Sequence, residues 1–273
     1  MKRATACING INLFYRDTAA DLPVILCLHG RWGRGETWTD FIKRYRDRYR
    51  LIAPDQRGHG LSDKPDSGYT AADLAEDAYQ LVRYLNCGPV IVVGHSMGGR
   101  IAAHLTTFHP EAIRALVILD ETAEGDEQPL SQSSDSDVID DGLTKDWPTP
   151  YPTLDDAVTH LSSLFPNPTN LQYFMQSLTE TTAGYDFLFS RRAMAELKRY
   201  NLPWFDILPQ IKCPTLLVRA AESWCLSAEA ARKMLPLIKD VTYFEVSRSD
   251  HMVYVDNPNE FYPQFERFLN RIT

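Results

Sequence analysis

The sequence contains no run approaching the roughly 18 to 20 apolar residues that a membrane-spanning helix requires. The start, Met1-Lys2-Arg3-Ala4-Thr5-Ala6-Cys7, has two basic residues but no long apolar run behind them, so no signal peptide is expected. Cysteine is sparse: five residues (7, 27, 87, 213 and 225), an odd number without paired short spacing. That pattern argues against a disulfide framework and fits buried, reduced thiols in a cytoplasmic protein. No Cys/His cluster has zinc spacing, so no metal is expected. An excess of basic charge is also missing. The net charge is -8 and the pI is near 5.4, a surface that repels phosphate backbones and makes nucleic acid an unexpected partner. Internal repeats are absent.

What is present is a 273-residue chain, 44% hydrophobic, long enough to bury a large core. Short apolar runs alternate with helix-like stretches, the pattern of βαβ units and a mostly parallel sheet. Thr5–Ile8 and Asn12–Arg16 flank Asn9-Gly10-Ile11, which predicts an opening antiparallel hairpin. Further strands are predicted at Val24–Leu28, Arg50–Ala53, Val90–Val93, Ala115–Leu119, Thr215–Arg219 and Val241–Val246. Helices are predicted over Trp38–Tyr45, from Ala71 to Leu85 behind a Thr70 cap, from the turn after Val93 to Phe108, and after Asn257-Pro258. Between Glu121 and Trp147 the chain is rich in Asp, Ser and Gln and lacks a strand pattern. Helical segments are expected next at Leu154–Phe165, Asn170–Leu178 and Phe187–Tyr200. This divides the chain into a sheet domain, residues 1–120 and 211–273, and a helical insertion, residues 121–210. The acidic stretch Asp135–Asp141 is expected to be a solvated loop.

Gly94-His95-Ser96-Met97-Gly98 is a G-x-S-x-G pattern lying between a predicted strand and a predicted helix, the context this motif requires. Small neighbours let a nucleophile occupy a sharp strand-to-helix turn, and the helix start aims N–H groups at developing negative charge. His29-Gly30, then Asp55-Gln56-Arg57-Gly58-His59-Gly60-Leu61-Ser62, then Gly-His-Ser-Met-Gly-Gly together resemble the α/β-hydrolase superfamily, in its cap-bearing esterase, lactonase and haloperoxidase-like branch. The resemblance covers about residues 5–120 and 211–273. It implies an eight-stranded, mostly parallel sheet with helices on both faces and an inserted helical cap. It also implies an oxyanion hole made by the backbone N–H groups of Arg31 and Met97. The Arg31 side chain can either reach an acidic group on a substrate or point to solvent. Arg57 and His59 are expected to brace loops.

Of seven histidines, His251 stands in the loop after the last strand, in Ser249-Asp250-His251-Met252-Val253, and resembles the family's catalytic base. Its carboxylate partner is less regular. Relatives carry an aspartate after the seventh strand, where this chain has Ser223 and Trp224. Asp120, at the end of the sixth strand, is favoured as the acid; Glu222 is the alternative and Glu121 the third candidate. Trp32, His95, Trp147, Phe187, Trp204, Trp224 and Met252 are expected to line a substrate pocket, an apolar one. The expected function is cofactor-free hydrolysis of a small, largely apolar carboxylic ester or lactone through an acyl-enzyme on Ser96, by a monomer or homodimer. C–C bond hydrolysis of dienoic ring-fission products by the same residues is one alternative. A non-catalytic ligand receptor on the same scaffold is the other.

Overall fold

A computed structural model of the chain describes residues 1–125 and 141–272. In chain order the elements are β1 (Lys2–Ile8), β2 (Ile11–Asp17), β3 (Val24–Leu28), α1 (Thr39–Tyr45), β4 (Arg50–Pro54), α2 (Ala71–Tyr84), β5 (Val90–His95), α3 (Met97–Phe108) and β6 (Ile113–Leu119). They continue with α4 (Leu154–Leu164), α5 (Pro168–Met175), β7 (Leu178–Thr181), β8 (Gly184–Phe187), α6 (Arg191–Arg199), β9 (Thr215–Ala220), α7 (Ala228–Met234), β10 (Val241–Val246), α8 (Val253–Asp256) and α9 (Pro258–Ile272).

Eight strands form one sheet in the order β1-β2-β4-β3-β5-β6-β9-β10. The β1–β2 and β2–β4 pairs are antiparallel, and every pair from β4 to β10 is parallel. Central strands such as β3 and β5 are buried along their whole length, which is why they read as unbroken apolar runs. Alternate residues feed two cores. Ile25, Cys27, Ile91 and Val93 pack with Trp38, Phe41, Phe261, Phe265 and Phe268 of the α1 and α9 side. Leu26, Leu28 and Val92 pack with Leu74, Leu81, Ile101 and Met234 of α2, α3 and α7. Thr70 caps α2 through a reciprocal bond with Asp73, as the sequence suggests.

Among the described residues, the segment between β6 and β9 adds no strand to this sheet. Its expected all-helical character needs correction: β7 and β8 form an antiparallel hairpin, and Phe187 ends β8 instead of opening a helix. Thr179, Thr181 and Thr182 favour extended backbone, and Gly184 turns the chain at φ 121. Of the acidic stretch, Asp141 is buried and accepts hydrogen bonds from Trp32 Nε1 and Thr144, not solvated as expected. Asp135, Asp137 and Asp140 lie outside the described residues. Among the cysteines only Cys27 is fully buried, and Cys7 is exposed. No helix among the described residues is long and apolar enough to cross a membrane.

The Asp55–Ser62 segment braces the strand ends. Asp55 accepts from Arg16 at 2.7 Å and from the N–H groups of Gly35 and Leu61, and Arg57 pairs with Asp77 at 2.5 and 2.7 Å. Removing one partner of such a buried pair typically costs about 3–5 kcal/mol. His29 and His59 meet edge-on beneath this segment, 4.9 Å apart. Burial pushes His29 down to about 4, and pushes His59 and His95 well below the ordinary histidine value. A histidine lowered in the fold takes up a proton on unfolding. Its contribution is therefore complete above the free value of about 6.5 and is lost as pH falls toward its folded value. Glu121, which burial raises, works in the opposite sense. Burial lowers His104 as well, and four histidines against one carboxyl predict that the urea midpoint declines between pH 7.5 and 5. A constant or rising midpoint over that interval contradicts the assignment of all four as neutral in the fold.

Candidate active site

Parallel registry places the site. His95 pairs with Leu119, Leu119 with Val218, and Ala220 with Val246, so the ends of β5, β6, β9 and β10 stand side by side. Parallel sheets assemble ligand sites at this edge. Ser96 follows β5 and caps α3 with φ 52 and ψ -130, a backbone strain of about 1–3 kcal/mol for a non-glycine residue. The motif's glycines have a steric cause. A Cβ on Gly94 would stand 2.1 Å from the Gly98 carbonyl oxygen, and one on Gly98 would stand 2.2 Å from that of Leu28.

Asp120, fully buried, also has a positive φ of 51. Its Oδ2 lies 2.7 Å from His251 Nδ1. The same oxygen accepts from the Ser223 hydroxyl at 2.7 Å, and Oδ1 accepts from the Ala220 N–H at 2.8 Å. A carboxylate at Nδ1 takes the ring's N–H and leaves the acceptor lone pair on Nε2. Ser223, where the resemblance places an acid, donates instead to the carboxylate of the neighbouring strand. Sequence reasoning saw the missing charge there but not this bond, because the partners are 103 positions apart. Glu222 is exposed and contributes only its N–H, to the Ser249 carbonyl. Glu121 is buried beside Cys225, whose thiol donates to it.

Ser96 and His251 open onto one cavity of about 410 Å³, lined mostly by carbon. No hydrogen bond joins the Ser96 hydroxyl to the His251 ring among the described residues; such contacts commonly close only when substrate binds. His95 is neutral and its Nε2–H donates to the His251 carbonyl at 3.1 Å, which ties the histidine loop to the nucleophile turn. The exposed Trp224 indole covers His251 with ring centroids 4.4 Å apart. Met97 opens α3, so the helix itself cannot satisfy its N–H. The Arg31 N–H has no backbone acceptor among the described residues.

Four of the expected pocket residues, Trp32, His95, Trp224 and Met252, line this cavity. Trp147, Phe187 and Trp204 do not, and this corrects their assignment. Trp147 packs on Phe174 and Phe187 inside the insertion, with centroids 5.2 and 5.1 Å away, and Trp204 is bonded to the Thr122 carbonyl. Leu143, Phe165, Asn170, Tyr173 and Phe174 take the expected places. A second, more polar cavity of about 520 Å³ shares Arg31, Trp32, Ser96 and Trp224 and reaches Arg100 and Glu121.

A family model described as alpha/beta hydrolase fold matches residues 23–258. The chain belongs to the α/β-hydrolase family. This α/β-hydrolase is 31% identical over 242 residues to the 2-(acetamidomethylene)succinate hydrolase of Mesorhizobium japonicum, covering 86% of this chain and 84% of that protein. Among solved structures it superposes on an E-2-(acetamidomethylene)succinate hydrolase with a TM-score of 0.85 and 27% identity, over 98% of this chain and 99% of the other. The enol-lactonase from Burkholderia xenovorans, 16% identical, shares the fold with a TM-score of 0.74 over 98% of this chain and all of its own length.

The two carboxylates of the α/β-hydrolase can be separated by substitution. Asp120→Asn is expected to lower kcat for an activated ester by about 10⁴, the loss seen when a histidine of this kind keeps its place but loses its carboxylate. Glu222→Gln is expected to stay within about twofold of the parent, since its side chain is in water. Steady-state kinetics on both folded variants checks this, and a larger loss in the Glu222 variant would place the acid after β9.

Proposed function

We propose that this α/β-hydrolase cleaves a carboxylic ester or lactone through an acyl-enzyme, with Ser96 as nucleophile, His251 as general base and Asp120 as the orienting acid. One observation carries the reading: a buried carboxylate–imidazole pair at the sheet edge opens onto the same cavity as a serine held in a strained strand-to-helix turn. His251 Nε2 takes the Ser96 proton as Oγ attacks the carbonyl carbon, and Asp120 stabilises the imidazolium that results. The Arg31 and Met97 N–H groups stabilise the tetrahedral oxyanion. Collapse expels the alcohol, which receives its proton from His251. Water, activated by the same imidazole, then releases the acid.

The lining of the cavity suits an apolar portion of the substrate. The Arg31 guanidinium supports a carboxylate elsewhere on it. That group lies 4.1 Å over the Trp32 ring and has no ion-pair partner among the described residues, and Arg31 is among the residues that line both cavities. The Mesorhizobium relative, named for a succinate, supports the same feature.

Ser96→Ala is expected to abolish labelling by a fluorophosphonate and to lower p-nitrophenyl acetate turnover by about 10⁶, leaving what the oxyanion donors and binding supply. Circular dichroism establishes that the variant is folded. Turnover near the parent's in that folded variant would remove Ser96 from the mechanism, and a parent protein that is neither labelled nor active would favour a binding role for the scaffold.

A further inference from the structure

The inserted segment does more than roof the cavity. Gly30, Arg31, Trp32 and Gly33 form a β-turn closed by the Gly33 N–H, which donates to the Gly30 carbonyl at 3.2 Å. His29 Nδ1–H donates to the same carbonyl at 2.8 Å. Because a trans peptide is planar with its C=O and N–H on opposite sides, fixing the Gly30 carbonyl also fixes the direction of the Arg31 N–H. The two carbonyls that follow are held as well, and both are held from the insertion. Tyr173 on α5 donates its hydroxyl to the Arg31 carbonyl at 3.0 Å, and Ser177, just beyond α5, donates to the Trp32 carbonyl at 2.8 Å. Asp141 accepts from the Trp32 indole at 2.8 Å.

These contacts are placed where the backbone needs them. Trp32 has φ 64, in the left-handed region that a bulky side chain disfavours and that persists only where surroundings over-determine it. The Tyr173 ring is seated so closely that a Cβ on Gly33 would stand 2.2 Å from its hydroxyl oxygen. Burial raises the Tyr173 phenol far above its ordinary value, so it remains a donor at every working pH. From its other end α5 reaches the histidine loop: Asn167 and Asn170 donate to the Asp250 carboxylate at 2.9 and 3.1 Å, one residue before His251.

We propose that α5 is a positioning element for the reaction, and that Tyr173 and Ser177 hold the Gly30–Gly33 turn so that the Arg31 N–H faces the oxyanion. Neither hydroxyl touches the reacting atoms; each acts through a main-chain carbonyl. The proposal rests on the acyl-enzyme reading above. Its consequence is that the sheet carries the nucleophile, base and acid, whereas the turn that carries one of the two oxyanion donors is held jointly, by His29 at the Gly30 carbonyl and by the insertion at the two carbonyls that follow. Relaxation of Trp32 toward negative φ would swing the Arg31–Trp32 and Trp32–Gly33 peptides, open the bond from the Gly33 N–H to the Gly30 carbonyl, and leave the donor's own peptide held by His29 alone.

Tyr173→Phe and Ser177→Ala each remove a hydroxyl and little volume. Each is expected to lower kcat on p-nitrophenyl acetate about tenfold with KM within twofold, a fraction of the 10²–10³ that losing an oxyanion donor outright costs. Affinity for a trifluoromethyl ketone, which forms a tetrahedral oxyanion adduct, should fall by the same factor as kcat/KM. Gly33→Ala approaches the contact from the opposite side and should show the same pattern by displacing the phenol. The proposal is overturned if the folded variants keep parental kcat, or if kcat falls without a matching loss of ketone affinity. A raised KM with unchanged kcat would mean that α5 serves only as a wall. Failure of the underlying reading is separate: the parent itself would then neither turn over the ester nor bind the ketone.

Discussion

The 2.7 Å contact between Asp120 and His251 is the interaction around which the remainder of the site is arranged. It is buried, and burial of a carboxylate is costly unless its oxygens are bonded. Asp120 meets that condition by accepting from the Ala220 N–H, the Ser223 hydroxyl and the imidazole together. The partners come from two other parts of the chain, the end of β9 and the loop after β10, so the bond requires β6 beside β9 and that loop folded back over both. The positive φ of Asp120 follows from the same demand, since the side chain must turn from its own strand toward the neighbouring one.

Much of the core was legible because its signals are local. Alternation of apolar strands with helices, the Asn9-Gly10 hairpin and the serine turn each sit within a few residues, and their elements appear where the pattern puts them. Asp120 is favoured because the resemblance places an aspartate where Ser223 and Trp224 stand and neither can carry charge, with Glu222 the alternative and Glu121 the third candidate. The structure brings Asp120 to His251 and leaves Glu222 in solvent. What the sequence did not show is long-range. Ser223 reads as a lost acid until the fold sets its hydroxyl against Asp120. In the insertion, aromatic spacing does not distinguish a residue facing the cavity from one a layer behind it, so Phe174 lines the cavity while Trp147 backs it. The β7–β8 hairpin was missed for a related reason, since a short threonine-rich segment between helices carries too few positions for its period to show.

Strain and electrostatics follow a common plan. Ser96, Asp120 and Trp32, all with positive φ, stand at the same edge of the sheet, and each is pinned by bonds to other elements. Beneath them, Arg16 with Asp55 and Arg57 with Asp77 neutralise charge in pairs, while His29, His59 and His95 are kept neutral by burial. The floor of the site therefore carries little unbalanced charge.

The covalent intermediate on Ser96 is the central claim, and partitioning tests it most directly. Three esters sharing one acyl group but differing in alcohol are hydrolysed in dilute methanol, and the ratio of methyl ester to free acid is measured for each. An acyl-enzyme common to all three predicts one ratio, independent of the departing alcohol. A ratio that changes with the leaving group would mean that water attacks the bound ester directly, and would contradict the account.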